Sequence, residues 1–317
     1  MAETVRKRSV VGIGETILDI IFQGGKPVAA VPGGSCFNSI VSVGRTGTPC
    51  FFAGYSAEDA VGRQTLGFLE ANGVRTDYFE LRPGEQSCVS LAFLNERGDA
   101  DYIFYKFRPT LPPSYPLPQL QRDDVLLLGS YFAVCQGTRS KMRQLLTEAR
   151  ESGAIVYYDL NFRRSHLLEL PRLLPPIRYN MRHSTVVRGS ADDFEIMYRT
   201  RDAEEIYHEH ISRHCPLFIC TDGAGEVTVC TPRGTLRFDA RRVDKVVSTV
   251  GAGDNFNAGL VCALIHEGIT LKVLTSLTED GWQRVIGTAV AFAAEACQTT
   301  DNYVSREFAL RTITKAI

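Results

Sequence analysis

The sequence predicts an α/β protein built on an open, mainly parallel sheet with helices on both faces, together with a small separate sheet. Three observations predict it. Short apolar runs of strand length alternate with segments of helical period, which implies crossover units and a sheet covered on both sides. Two stretches, 16–30 and 88–107, are β-rich with no helix between their strands and so stand outside that rhythm. Near the C-terminal end, the β-branched run 243–250 leads into Gly251-Ala252-Gly253-Asp254 and then into an apolar stretch of helical spacing, a tight strand–loop–helix junction.

In chain order, 9–14 reads as a buried strand, 36–44 as a helix and 50–54 as the next strand. The stretch 88–107 shows partial alternation around a turn at 96–100, which predicts a hairpin. A proline-rich loop follows at 109–118. Then come a strand at 124–129, a polar helix at 138–152, and strands at 154–159, 185–188, 217–221 and 243–247. The last third is helical, over 254–266, the Ala-rich 281–297, and 305–315.

Composition narrows the function. With 317 residues, the chain is long enough for one large α/β domain or two small ones. No linker rich in Pro, Gly or Ser divides it, so one domain over 1–317 is expected. The chain is 44% hydrophobic and 22% charged, with a net charge of −1 and no basic block, which argues against nucleic acid as the main partner. Arg6, Lys7 and Arg8 precede an apolar run, but Glu15 and Asp19 interrupt it, so a signal peptide is not expected. No stretch approaches membrane-spanning length, and a cytoplasmic protein is expected. Nine scattered cysteines, without a C-x-x-C pair, read as reduced and structural.

The junction at Gly251 carries the chemistry. The backbone N–H groups of Gly251, Ala252 and Gly253 can converge on one point, and the positive end of the helix dipole points there too. That favours an anion such as a phosphate. A carboxylate beside an anion hole is counterproductive for binding alone. It makes sense if Asp254 takes a proton from a hydroxyl that attacks the anion. A Walker A loop is absent, and Gly12-Ile13-Gly14 lacks the third glycine of a dinucleotide fingerprint. Four further polar clusters read as following strands on one side of the sheet: Asp19, Gly33-Gly34 with Asn38, Asp159 to Arg163, and Thr221-Asp222-Gly223. Open parallel sheets bind ligands at their carboxyl edge. His208, His210 and His214 read as part of a solvated, charged helix rather than a metal site, since only His210 and His214 share a face.

Taken together, these residues resemble the ribokinase-like (PfkB) family of carbohydrate kinases, over nearly the whole chain and in the right order. Gly14-Glu15 with Asp19 is similar to the family's sugar-binding start. Gly33-Gly34 with Asn38 resembles its first signature, and Asp159-x-Asn161-x-Arg163 its D-x-N-x-R. Thr221-x-Gly223 resembles its nucleotide-side turn, and Gly251-Ala252-Gly253-Asp254 its second signature. The resemblance implies that the two β-rich stretches form a lid over the sugar. Three departures stand out. Ser248 occupies a place where an Asp is usual, Ser190-Ala191-Asp192-Asp193 replaces N-x-x-E, and the segment after Cys297 lacks a glycine often found near the adenine pocket.

The resemblance implies ATP-dependent phosphorylation of a sugar's primary hydroxyl. The Gly-Glu-x-x-x-Asp start points to a hexose such as fructose, or a keto-deoxy sugar acid. A nucleoside or other small-molecule kinase, and a non-catalytic sugar or nucleotide sensor, remain as alternatives. The implied roles are as follows: Asp254, Gly251, Ala252 and Gly253 in catalysis; Asp19, Gly33, Gly34, Asn38 and Arg163 on the sugar; Ser190, Thr221, Gly223 and Asn302 on ATP; and Asp193 on Mg²⁺. The resemblance also raises a homodimer through the lid. Ser248 implies little dependence on potassium.

Overall fold

A computed structural model describes residues 6–95, 100–107, 114–240, 243 and 245–314. Its strands in chain order are β1 (Val10–Ile13), β2 (Ile17–Gln23), β3 (Lys26–Gly33), β4 (Cys50–Ala57), β5 (Arg75–Arg82), β6 (Val89–Leu94), β7 (Ala100–Tyr105), β8 (Val125–Gly129), β9 (Ile155–Asp159), β10 (Val186–Ser190), β11 (Leu217–Thr221), β12 (Glu226–Thr231) and β13 (Gly234–Asp239). The helices are α1 (Ser35–Arg45), α2 (Ala60–Ala71), α3 (Arg139–Ser152), α4 (Leu170–Arg182), α5 (Ala191–Tyr198), α6 (Ala203–Ile206), α7 (Ala252–His266), α8 (Leu271–Leu274), α9 (Glu279–Ala296) and α10 (Arg306–Thr314).

Nine strands form one sheet in the order β13-β12-β11-β10-β9-β8-β1-β4-β5. Its neighbours are parallel from β5 across to β11. Only β12 runs against them, held in an antiparallel meander with β11 and β13. Strands buried on both faces need apolar residues at every position, and they have them. Val125 and Leu127 of β8 join an apolar layer with α1, α7 and α9, while Leu126 and Leu128 join another with α3, α4 and α5. The fold class expected from sequence is therefore the observed one.

The β-rich stretches form a second sheet, in the order β3-β2-β6-β7. Its central pair, β2 and β6, is parallel, and the two outer pairs are antiparallel. The hairpin turn expected at 96–100 falls mostly outside the described residues, as do part of the proline-rich loop and residue 315.

Two local expectations are corrected. The run at 243–247 is not a strand in any described residue. Val247 and Ser248 instead donate their backbone N–H groups to the carbonyl of Cys297, at 2.8 and 3.4 Å. A β-branched run becomes a strand only where a partner edge is free, and here the end of α9 takes its hydrogen bonds. The charged segment 201–213 is not a regular helix either: after α6 it passes into a π-helical turn over Tyr207–Ile211, where His210 stacks on Tyr198. Among the described residues no group of three or more metal-ligating side chains gathers, and no helix is long and apolar enough to cross a membrane. All nine cysteines are free thiols.

Candidate active site

The site grows from two helix starts that face each other. Helix α7 follows Gly251, whose φ of 78° disfavours any side chain, and a Cβ there would stand 3.0 Å from the carbonyl oxygen of Asn302. No side chain caps that first turn. Helix α1 follows Gly34, with φ 128°, and it too lacks a side-chain cap. By contrast, α2, α5, α8 and α9 are each capped by an Asp, Ser or Thr. No side chain takes the first-turn N–H groups of α7; that of Ala252 donates to the Thr249 carbonyl at 3.3 Å, and those of Gly253 and Asp254 are left for a ligand.

Asp254 is the third residue of α7, and α1 holds it. Ser35 Oγ donates to Oδ1 at 2.8 Å and Asn38 Nδ2 donates to Oδ2 at 2.8 Å. Ser39 Oγ donates to its backbone carbonyl at 2.8 Å. Desolvation pushes the Asp254 carboxyl up to about 6; the bonds from Asn38 and Ser35 pull it down, Asp159 pushes it further up, and Arg163 pulls it down. A carboxylate with that value is ionised at neutral pH yet basic enough to accept a proton. Asn38 is buried, and its Oδ1 has no partner, so an acceptor is left waiting for a donor beside Asp254.

Asp19 lies elsewhere than expected. It does not follow a strand of the large sheet; it sits inside β2 of the small one, opposite Val31 of β3 and Ser90 of β6. It is buried, accepts a hydrogen bond from Ser90 Oγ, and accepts one from Asn302 Nδ2 at 3.3 Å. Burial raises its pKa, while those two bonds and Arg163 lower it. Gly33 makes room for it, because a Cβ there would stand 2.4 Å from Asp19 Oδ2. Asp19, Tyr102, Ser248, Thr300 and Asn302 line one small cavity between the small sheet and the Gly251 loop. Glu15, in the β1–β2 connection, forms an ion pair with Lys106, just past β7, at 2.9 Å. Arg163 is exposed, within electrostatic reach of both Asp19 and Asp254.

The residues expected to serve a nucleotide divide. The side-chain amide of Asn302 is turned to Asp19, not to the Thr221 end. Thr221 is buried, and its hydroxyl accepts from Arg188 Nη2 at 2.7 Å. Gly223 lies on the exposed β11–β12 turn with φ 52° and open space around it. Ser190 and Asp193 form a capping box on α5: Ser190 Oγ accepts from the Asp193 N–H at 3.1 Å, and Asp193 Oδ2 accepts from the Ser190 N–H at 2.7 Å and from its hydroxyl at 2.8 Å. Asp193, expected on Mg²⁺, is thus buried, and its carboxylate closes its own helix end.

Sequence reading missed Ser35, Ser90, Asn257 and above all Arg188. Arg188 is buried and pairs with Asp159 at 3.2 Å. Asn257 Nδ2 donates to Asp159 at 2.7 Å, and Tyr157 OH donates to Asn257 at 2.9 Å. The signal was available: an arginine in the run Val186-Val187-Arg188-Gly189 is a charge inside a strand that otherwise reads as buried.

Residues 7–307 match the profile described as pfkB family carbohydrate kinase. Over 274 residues the chain is 25% identical to a fructokinase of Rhizobium leguminosarum bv. trifolii, a match that covers 84% of this chain and 83% of that protein. Among solved structures, a double mutant of the Vibrio cholerae O395 fructokinase, with fructose, ADP and a potassium ion bound, superposes with a TM-score of 0.82 at 22% identity, covering 96% of this chain and 98% of that one. The Salmonella enterica aminoimidazole riboside kinase, complexed with aminoimidazole riboside and an ATP analog, gives a TM-score of 0.79 at 22% identity, covering 98% and 99%.

Proposed function

Because the chain belongs to the pfkB family of carbohydrate kinases, we propose that it transfers the γ-phosphoryl group of ATP to the primary hydroxyl of a sugar, with a hexose such as fructose as the first candidate. One observation carries this reading. Asp254, raised to about 6, is fixed by α1 at an uncapped helix start, where an anion and an attacking hydroxyl would meet. The fructokinase relative supports the acceptor class.

In this reading residues 1–317 act as one kinase unit, with the small sheet as a lid. The sugar lies between that lid and the large sheet. Asp19 accepts hydrogen bonds from its hydroxyls, the orphaned Asn38 Oδ1 accepts another, and Arg163, Gly33 and Gly34 border it. Asn302, turned to Asp19, serves this half rather than the nucleotide. Asp254 takes the proton of the primary hydroxyl. The freed oxygen bonds to the γ-phosphorus as the β,γ-bridging bond breaks, and ADP leaves. The Gly251 and Gly253 amides hold the charge that builds on the transferring group, while the Ala252 N–H, bonded to the Thr249 carbonyl, fixes the loop. Thr221 and Gly223 border the nucleotide. Mg²⁺, when bound, would neutralise phosphate charge, with nucleotide phosphates and water as its main ligands.

The nine free thiols support a reducing compartment such as the cytoplasm. The exposed Val28, Ile103, Phe104 and Tyr105 on the small sheet support a homodimer through the lid. The test of function is ADP release with MgATP across hexoses, a keto-deoxy sugar acid and nucleosides. Release that depends on a hexose is expected. Release only with a nucleoside moves the acceptor class. ATP binding without release on any acceptor makes the protein a sensor.

A further inference from the structure

Side chains on β10 alternate between the two faces of the sheet. Val186 enters the apolar layer under α7, and Arg188 is the next residue on that face, two positions nearer the carboxyl edge. There its guanidinium meets the start of α7. A Cβ on Gly253 would stand 3.2 Å from both Nη1 and Nη2, so the loop backbone rests directly on the cation. The group is clamped from three sides: Asp159 by both oxygens at 3.2 and 3.3 Å, Thr221 Oγ1 at 2.7 Å, and the ring of Phe256 at 5.6 Å. Asp159 is itself fixed by Asn257, which belongs to α7. Nε is buried without a partner.

A buried ion pair is weak support for stability, because desolvation offsets most of its attraction. A fixed cation beside the positive end of a helix is costlier still. The arrangement gains from a negative charge held on the other side of the loop, where little water screens the field. On the kinase reading, that charge is the transferring phosphoryl group. We infer that Arg188 is a positioning residue for phosphoryl transfer: it supports the Gly251–Gly253 loop from beneath and adds fixed positive potential at the anion hole without touching the substrate.

The inference rests on the proposed kinase activity, and its test separates the two. Arg188→Met alone strands Asp159 and is expected to fold poorly, so the informative variants are Arg188→Lys and the neutral pair Arg188→Met with Asp159→Asn. The lysine variant keeps the charge and should retain at least about a tenth of kcat, whereas the neutral pair should fold but lose about 100-fold in kcat, the scale of one lost oxyanion-hole donor. KM for ATP should change less than about threefold in both, because the loss falls on the transition state. A neutral pair within about fivefold of wild-type kcat, or a loss that appears only in KM, overturns the inference while leaving the kinase reading intact. Wild-type protein that phosphorylates no acceptor overturns both.

Discussion

Two aspartates occupy the same place on two helices, and the protein uses them in opposite ways. Asp193 is the third residue of α5 and Asp254 the third residue of α7. Both elements start at the same edge of the large sheet. The residue before α5 is Ser190, and Asp193 folds back on it to close a capping box. The residue before α7 is Gly251, which offers no side chain, so Asp254 turns outward and is held by Ser35 and Asn38 of another helix. The lesson is local. An aspartate at this position is available for chemistry when its own cap residue cannot engage it, and a glycine cap also puts no side chain on the first-turn N–H groups, so that an anion can reach them.

Asp254→Asn should have the largest effect on activity. Turnover should fall by about 10²–10⁴-fold, the usual share of a general base, with ATP affinity close to wild type. A variant that keeps more than about a tenth of kcat would remove Asp254 from that role. The same substitution should not cost stability at high pH. The folded carboxyl is pushed up to about 6, above its ordinary value of 3.8, so the native state holds its proton more tightly. The stabilisation from that proton is full below the lower value and is lost as pH rises through about 6. Thermal melts at pH 8 should therefore favour Asp254→Asn over wild type, and the gap should close toward pH 5.

On α5 the expected effects are structural. Ser190→Ala should cost about 1 kcal/mol in denaturant unfolding, as a lost cap does. Asp193→Asn should leave the Mg²⁺ dependence of kcat within about fivefold of wild type, since Mg²⁺ keeps waters and substrate phosphates as ligands. A larger shift in that titration would return Asp193 to the metal and end the contrast.

On the acceptor side, Asp19→Ala should raise KM for the sugar far more than for ATP; the reverse would mean the half-sites are exchanged. The smallest effect concerns cations. Ser248 Oγ accepts from the Val250 N–H at 3.1 Å and so serves the loop's own turn. A neutral hydroxyl is also a weak substitute for a carboxylate as a ligand to a hard cation. Sodium and potassium at matched ionic strength should give kcat values within about twofold. Several-fold activation by potassium alone would show that other oxygens hold the ion.

What the sequence revealed follows from how local each signal is. The buried strands were readable because every residue of Val125–Gly129 or Leu217–Thr221 is apolar or small, or closes the run. The glycine turns before Ser35 and Ala252 were readable because their geometry is set within four residues. Contacts across the chain were not. Asn302 meets Asp19 across 283 positions, and Arg188 meets Asp159 across 29, with nothing in spacing or periodicity to announce either. The run at 243–247 misled because strand propensity says nothing about whether an edge is free.

The proposed mechanism turns on Asp254 being the base and on α1 setting its proton affinity. The most direct measurement is the acid limb of kcat/KM for the sugar, in wild type and in Ser35→Ala. The wild-type limb should fall near 6. Removing the Ser35 hydroxyl deletes a bond to the ionised form, so the limb should move upward in the variant. A profile that stays flat down to pH 4.5 (about where an unperturbed carboxylate titrates), or a limb that does not move in Ser35→Ala, would contradict it.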